Sequence, residues 1–218
     1  MSRLKGVLLL NLSLAELAII IPVILVSLTV HELAHASVSL LLGDDTAKLA
    51  GRVTLNPIRH VDPFGFLMLV VVGFGWAKPV TFDRTKLRKP VRDEILVALA
   101  GPLSNLVLAF AGALAIRWAV FSGAAGDTAI NALVTFCLIN IALAIFNSLP
   151  IPPLDGSHLY TSFLTDRHAG LARALTRYGF LVIIVLLLAR RAVGVDLLPI
   201  GRLTQAVFGG MLSLVGVE

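Results

Sequence analysis

Charged residues and cysteines are scarce in this 218-residue chain. Only 14% of its residues are charged and its mean hydropathy is +0.92, whereas soluble domains typically carry about 25% charged residues. The one cysteine, Cys137, excludes an intrachain disulfide and a cysteine-based zinc site, and we interpret it as a small buried apolar residue. The net charge is +5, but the basic residues lie between apolar runs, which favours a membrane orientation signal over nucleic-acid binding.

Long apolar runs dominate the rest of the sequence and predict an all-α polytopic membrane protein. The first run is too long for a signal peptide and has no small-residue cleavage site. The run 64–76 has only 13 residues and would cover about 20 Å as a helix, against about 30 Å of hydrocarbon. We therefore interpret it as re-entrant or interfacial. Three runs are long enough to span, which predicts a three-span core. The runs are 14–42, 64–76 (the short one), 93–116, 128–149, 178–189 and 203–217.

The segments between the runs complete the predicted architecture. Residues 46–90 contain a strand-like piece at Val53–Leu55, and 77–92 reads as extended or loop, so short membrane-associated strands or a re-entrant loop are expected there. We expect one domain over 1–218, with a core at about 14–160 and C-terminal helices at about 170–218. Twelve of the eighteen basic residues fall on the side of 43–92, against six on the other side if the last two runs also span. The positive-inside rule assigns the richer side to the cytoplasm of a multi-pass cell-membrane protein.

The sharpest local signal is the sequence His31-Glu-Leu-Ala-His35 inside the first run. Positions i and i+4 of a helix share one face, so both imidazoles can reach one metal ion. Glu32 lies beside them, where it can take a proton from a water molecule. Ionisable side chains within an apolar run are costly and usually functional. The motif predicts a catalytic zinc site.

A catalytic zinc ion needs a third protein ligand, and Asp155 is the best candidate. It follows Asn147-Ser-Leu-Pro-Ile-Pro-Pro-Leu, whose prolines end the helix. His31 and His35 lie about 15 Å along the helix axis from Asp44, near the predicted cytoplasmic end of the first span. Two further spans return the chain to that side just before Asp155. The three ligands are therefore expected at one depth, but only if 64–76 does not cross.

These motifs resemble those of the site-2 protease family of intramembrane zinc metalloproteases. The resemblance covers about residues 14–160. The segments 55–65 and 75–80 resemble the small prokaryotic branch of the family, and we expect no accessory PDZ or CBS domain. It implies one Zn²⁺ per chain bound by His31, His35 and Asp155, a general base at Glu32, and membrane-protein substrates. The segments that carry it are Ala100-Gly-Pro-Leu-Ser-Asn105, Leu55-Asn-Pro-Ile-Arg-His-Val-Asp-Pro-Phe-Gly65, Gly75-Trp-Ala-Lys-Pro-Val80 and the two ligand motifs.

Four further polar residues are secondary candidates. The family pattern places Asn147 to hydrogen-bond the substrate carbonyl as it becomes an oxyanion. Asn140 fits interhelical hydrogen bonding better than catalysis, and Asn105 fits packing with a second role as a hydrogen-bond donor behind the metal site. For His60 a loop-fixing role is favoured over a zinc ligand or gate. A serine nucleophile at Ser104 is disfavoured because no base lies nearby in sequence.

The predicted reaction is hydrolysis of peptide bonds in transmembrane protein substrates, within or near the lipid bilayer. An extended substrate could add as a strand to 53–55 or 77–82. Two alternatives stay open: a metal-ion transporter, and a catalytically silent relative that binds membrane proteins. A transporter would not need Glu32 beside the metal pair and would take ligands from more spans. The sequence leaves open the substrate, the regulation and homo-oligomerisation.

Overall fold

A computed structural model of the chain describes residues 12–72, 75–123, 125–164, 168–193 and 198–217, and these residues are largely helical. Three single 3₁₀ turns, at Pro57–Arg59, Arg84–Lys86 and Asp155–Ser157, interrupt the loops. The helices are α1 Leu14–Leu41, α2 Thr46–Leu49, α3 Pro63–Val72, α4 Pro90–Ser122, α5 Asp127–Asn147, α6 His158–Thr161, α7 Ala169–Val193 and α8 Ile200–Leu214.

Helix α1 begins at a capping box. The Ser13 hydroxyl accepts from the Glu16 amide at 3.3 Å, and the Glu16 carboxylate accepts from the Ser13 amide at 2.9 Å, so two otherwise unpaired amides are satisfied. Beyond the other end, Gly43 adopts a φ of 112°, a conformation that side chains with a Cβ rarely allow. The 28 residues between these signals form one continuous helix.

Three helices, α1, α4 and α5, are long and apolar enough to cross a membrane, as the sequence predicted. Helix α4 makes its most extensive contacts with α5 and α1, so it lies between them. Its approach to α5 depends on a small residue: a Cβ on Gly112 would lie 2.6 Å from Cys137 Sγ. The Cys137 side chain is fully buried at this contact, as an inert apolar residue would be.

The region between α1 and α4 differs from expectation. Val53–Leu55 forms bends instead of a strand, and the Thr54 carbonyl, which a strand would use for pairing, is hydrogen-bonded to His60 Nε2. Within the described residues no sheet is present, only one isolated bridge between Val61 and Ala77. Helix α3 would extend about 15 Å, too short to span. Its re-entrant or interfacial placement stays a prediction.

Helix bounds also shift from the predicted runs. Helix α4 is extended at both ends relative to 93–116, and α7 is extended well before 178. Among the described helices, α7 does not join the three that are long and apolar enough to span. The buried carboxylate of Asp44 ties the end of α1 to the chain before α4, since it accepts from the amides of Thr46 at 2.9 Å and Asp83 at 2.7 Å.

Candidate metal centre

Two imidazoles and one carboxylate converge at the inner face of α1. His31 and His35 are buried one turn apart, with their Nε2 atoms 3.0 Å from each other. Asp155 Oδ2 lies 3.1 Å from Nε2 of His31 and 3.4 Å from Nε2 of His35. The structure therefore brings together all three residues that the sequence predicts as metal ligands.

Asp155 reaches the histidines because the chain folds back after α5. The prolines end the helix, and the chain then turns through hydrogen bonds from Ile151 N to Leu149 O and from Leu154 N to Ile151 O. Gly156 packs so closely on the end of α5 that a Cβ would lie 2.7 Å from the Leu149 carbonyl oxygen. Glycine at 156 thus permits the reversal that delivers the carboxylate.

The other ring nitrogen of each histidine has an oxygen partner that fixes its protonation. His35 Nδ1 lies 2.7 Å from the Val97 carbonyl, which can only accept, so this nitrogen carries the proton. His31 Nδ1 lies 2.6 Å from Asn105 Oδ1. The Asn105 amide nitrogen faces the carbonyl of Ser27 at 3.3 Å, which sets the orientation of this side chain. His31 is therefore also a donor at Nδ1.

A cation fits this arrangement. Neutral imidazoles with protons at Nδ1 present their lone pairs at Nε2. Two such lone pairs and a carboxylate oxygen face one another at 3.0–3.4 Å, a mutually repulsive set unless a positive charge lies among them. Zinc bonds of 2.0–2.1 Å in tetrahedral geometry separate ligand atoms by about 3.3 Å. Partners on the outer nitrogens are the usual support of zinc-binding histidines.

The charge of Asp155 suits the same role. Burial raises the pKa of Asp155, but when the imidazoles carry protons on Nε2 in place of a metal ion, hydrogen bonds and charge interactions with His31 and His35 outweigh burial and hold the pKa well below its ordinary value. The carboxyl group is therefore ionised at neutral pH, as a metal ligand must be.

Close approach of α4 shapes the site from the other side. A Cβ on Gly101 would lie 2.6 Å from both Cε1 and Nε2 of His31. The hydroxyl of Ser104 donates to the Gly101 carbonyl at 2.7 Å, a hydrogen bond within α4. Gly101 thus provides the space that the imidazole pair occupies.

Glu32 is buried beside the pair and has one oxygen fixed. Its Oε2 accepts from the backbone amide of Val80 at 3.0 Å. No hydrogen bond to Oε1 is found within the described part of the chain. The carboxylate is thus oriented by the extended segment that follows Ala77.

The secondary candidates divide into two groups. Asn105 contacts His31 directly, and Asn140 Oδ1 accepts from the Asn105 amide at 2.8 Å, so these two form a chain behind the imidazole. Asn147 instead donates to the carbonyl of Leu143 at 3.0 Å. His60 is buried in its own loop, where Nε2 donates to Thr54 O at 2.9 Å. Their catalytic roles stay predictions.

Two supporting residues escaped the sequence analysis. Arg52 is buried and bonds to loop carbonyls. Glu94 on α4 is buried and contacts Arg84 Nε at 3.2 Å and His158 Nδ1 at 2.9 Å. Their partners lie between 7 and 64 residues away in the sequence, so no local motif marks them. The one usable signal for Glu94 is an acid near the start of an apolar run.

An apolar cavity of about 400 Å³ is lined partly by α1 and α5, the helices that carry or precede the candidate site residues. Its walls come from α1, α3, α5, the segment after Gly75 and the first residue of α8. Leu28, one turn before Glu32, and Phe146, next to Asn147, line it near the candidate catalytic residues. A cavity with these walls suits apolar side chains.

Comparison with known proteins agrees with this chemistry. The model of peptidase family M50 matches residues 19–125 and 116–189. YwhC of Bacillus subtilis is 42% identical over 168 residues, which cover 75% of this chain and 77% of that protein. Rip2 of Mycolicibacterium smegmatis is 30% identical over 175 residues, covering 75% and 64%. Rip3 of Mycobacterium tuberculosis is 33% identical over 168 residues, covering 75% and 36%.

All three relatives carry the name of zinc metalloproteases. No solved structure gives a significant match. Together with the paired histidines and the three long apolar helices, the family match means that this chain belongs to peptidase family M50, the site-2 protease family that its motifs resemble.

Proposed function

We propose that this protein is an intramembrane zinc metalloprotease that hydrolyses peptide bonds of transmembrane proteins within or near the bilayer. The observation that carries the proposal is the meeting of His31, His35 and Asp155, with ligand atoms 3.0–3.4 Å apart. The proposal assigns one Zn²⁺ to these three residues. It places the whole described chain in one multi-pass domain with the site toward the cytoplasm.

The residues around the site have separable tasks. A zinc ion held by His31, His35 and Asp155 would supply Lewis acidity to lower the pKa of a water molecule and polarise the scissile carbonyl. Glu32 takes the proton of the attacking water on Oε1, since Oε2 is held by Val80, and passes it to the leaving amine nitrogen. Asn147 donates to the substrate oxygen after leaving the Leu143 carbonyl.

The neighbouring cavity supports an apolar substrate. Its lining residues are apolar throughout, and they include Leu28, one helical turn before Glu32, and Phe146, which precedes Asn147. A segment unwound from a membrane span carries apolar side chains that could enter such a cavity, which fits the proposed substrate class.

The decisive test is Glu32→Gln in the purified full chain. We expect unchanged zinc content, by elemental analysis, and loss of cleavage of a single-span test substrate. His35→Ala should instead lose the metal. Zinc transport into proteoliposomes, unaffected by Glu32→Gln, would favour a transporter, and cleavage that persists in Glu32→Gln would remove the proposed base.

A further inference from the structure

Arg52 is a buried cation whose partners are backbone carbonyls. Its side chain is only 6% exposed. The guanidinium donates to the carbonyls of Lys78 at 2.6 Å and Pro79 at 2.7 Å, and also to that of Arg59. Within the described residues no carboxylate forms an ion pair with it. The planar fork of arginine can bridge adjacent carbonyls in a way that the single ammonium of lysine cannot.

The contacts of Arg52 with the carbonyls of Lys78 and Pro79, here called the clamp, complete the hydrogen bonding of the segment 78–80. The Lys78 amide donates to the His60 carbonyl at 2.8 Å, Pro79 has no amide hydrogen, and the Val80 amide donates to Glu32. Every backbone donor and acceptor from the Lys78 amide to the Val80 amide is therefore occupied. These residues offer no free backbone amide to an added substrate strand, so strand addition within 77–82 would draw its amide donors from residues outside 78–80.

This arrangement links a loop arginine to the proposed base. Resting on the proposed function, we infer that Arg52 is a positioning residue for Glu32. It fixes the backbone of 78–80 so that the Val80 amide holds Oε2 and leaves Oε1 directed at the attacking water. Because displacement of a catalytic group by about 1 Å can cost roughly a hundredfold in rate, release of the clamp should lower turnover without removing the metal.

A double-mutant cycle tests this path in the zinc-loaded full chain, with an internally quenched peptide that has an apolar centre. Arg52→Gln should lower kcat by about 10- to 100-fold, with KM and zinc content unchanged. Val80→Pro removes the amide hydrogen that holds Glu32 Oε2, together with the valine side chain. If Arg52 acts through Val80, the double variant should be no slower than the slower single variant.

The chain supplies a matched control. Arg59 has an exposed side chain and contributes only its backbone carbonyl to the contacts of Arg52, so Arg59→Gln removes the same charge, keeps that carbonyl and should leave kcat unchanged. The kcat of Arg52→Lys should lie between that of Arg52→Gln and that of the wild type. If Arg52→Gln does not fold, Arg52→Lys replaces it in the cycle. Multiplicative loss in the double variant would overturn the inference, as would unchanged kcat in Arg52→Gln.

Hydrogen–deuterium exchange gives a readout that does not depend on activity. A peptide covering 77–83 should exchange faster in Arg52→Gln than in wild type, and no faster in Arg59→Gln. Equal exchange in all three proteins would also overturn the clamp. Absence of Glu32-dependent cleavage in wild type would defeat the proposed function, whereas full cleavage by Arg52→Gln protein would defeat only the positioning role.

Discussion

His31 Nδ1 and Asn105 Oδ1 lie 2.6 Å apart, in a hydrogen bond that joins α1 to α4 across 74 positions of the chain. The bond continues to α5, because the Asn105 amide donates to Asn140, whose own amide donates to the Phe136 carbonyl. All three long helices thus contribute to the orientation of one imidazole.

The first prediction concerns this chain of amides. Asn105→Leu keeps the approximate volume and removes the acceptor, so His31 loses its fixed tautomer. We expect zinc affinity to fall by about 10- to 100-fold, the usual effect of losing such a support, measured by competition with a chromophoric chelator. Asn140→Ala should have a smaller effect in the same direction.

Asn131→Ala is the control for the asparagine variants, since Asn131 lies exposed near the start of α5. Its zinc affinity should match wild type. Equal affinities for Asn105→Leu and Asn131→Ala would show that the tautomer does not depend on Asn105.

A second prediction tests the approach of α4 to the histidines. Gly101→Ala introduces a Cβ within 2.6 Å of His31, and the helix must move or the ring must turn. We expect a stability loss of about 1–3 kcal/mol from overpacking together with weakened zinc binding. Thermal unfolding in detergent with and without added zinc measures both effects.

Gly210→Ala offers the matched comparison, because a Cβ there meets nothing within 4 Å. In a helix this change should be neutral or stabilise by up to about 1 kcal/mol. Normal zinc binding by Gly101→Ala protein would mean that α4 can yield without disturbing the site.

A third prediction concerns Glu94, which connects Arg84 and His158 to α4. Because His158 follows Asp155 by one turn, the contact braces the chain that carries the third ligand. Glu94→Gln should lower stability by about 1–3 kcal/mol, with the lower part of this range expected since Arg84 and His158 are 41% and 31% exposed.

Thermal unfolding of the apo protein is the measurement for Glu94→Gln, with zinc affinity as the second. Asp45→Asn breaks an exposed pair with Lys86 and should leave both unchanged. The bracing role of Glu94 is wrong if Glu94→Gln, like Asp45→Asn, unfolds at the same temperature as wild type.

A fourth prediction addresses the cavity. Ala142→Phe fills part of it from α5. If the cavity receives a substrate side chain, cleavage of test peptides with a large apolar residue beside the scissile bond should fall more than cleavage of alanine-containing peptides, with zinc content unchanged. Ala111→Phe, on an exposed part of α4, should affect both peptides equally.

The sequence predicted what depends on pattern and local chemistry. The three long helices and the order of His31, His35 and Asp155 follow from apolar runs, helical spacing and helix-ending prolines. The sequence did not predict features that depend on which groups pair in the folded chain. Val53–Leu55 has strand-like composition, but His60 takes the Thr54 carbonyl. Arg52 looks like any loop arginine until Lys78 and Pro79 are placed beside it. Such pairings arise only once the chain has folded.

Because Gly156 packs tightly on the end of α5, the number of residues from 148 to 155 determines where the Asp155 carboxylate lies. One residue more or less would carry the carboxylate away from the imidazoles while leaving α5 itself intact. Related chains should therefore vary freely in the turn between α4 and α5, yet keep the count from Asn147 to Asp155 unchanged.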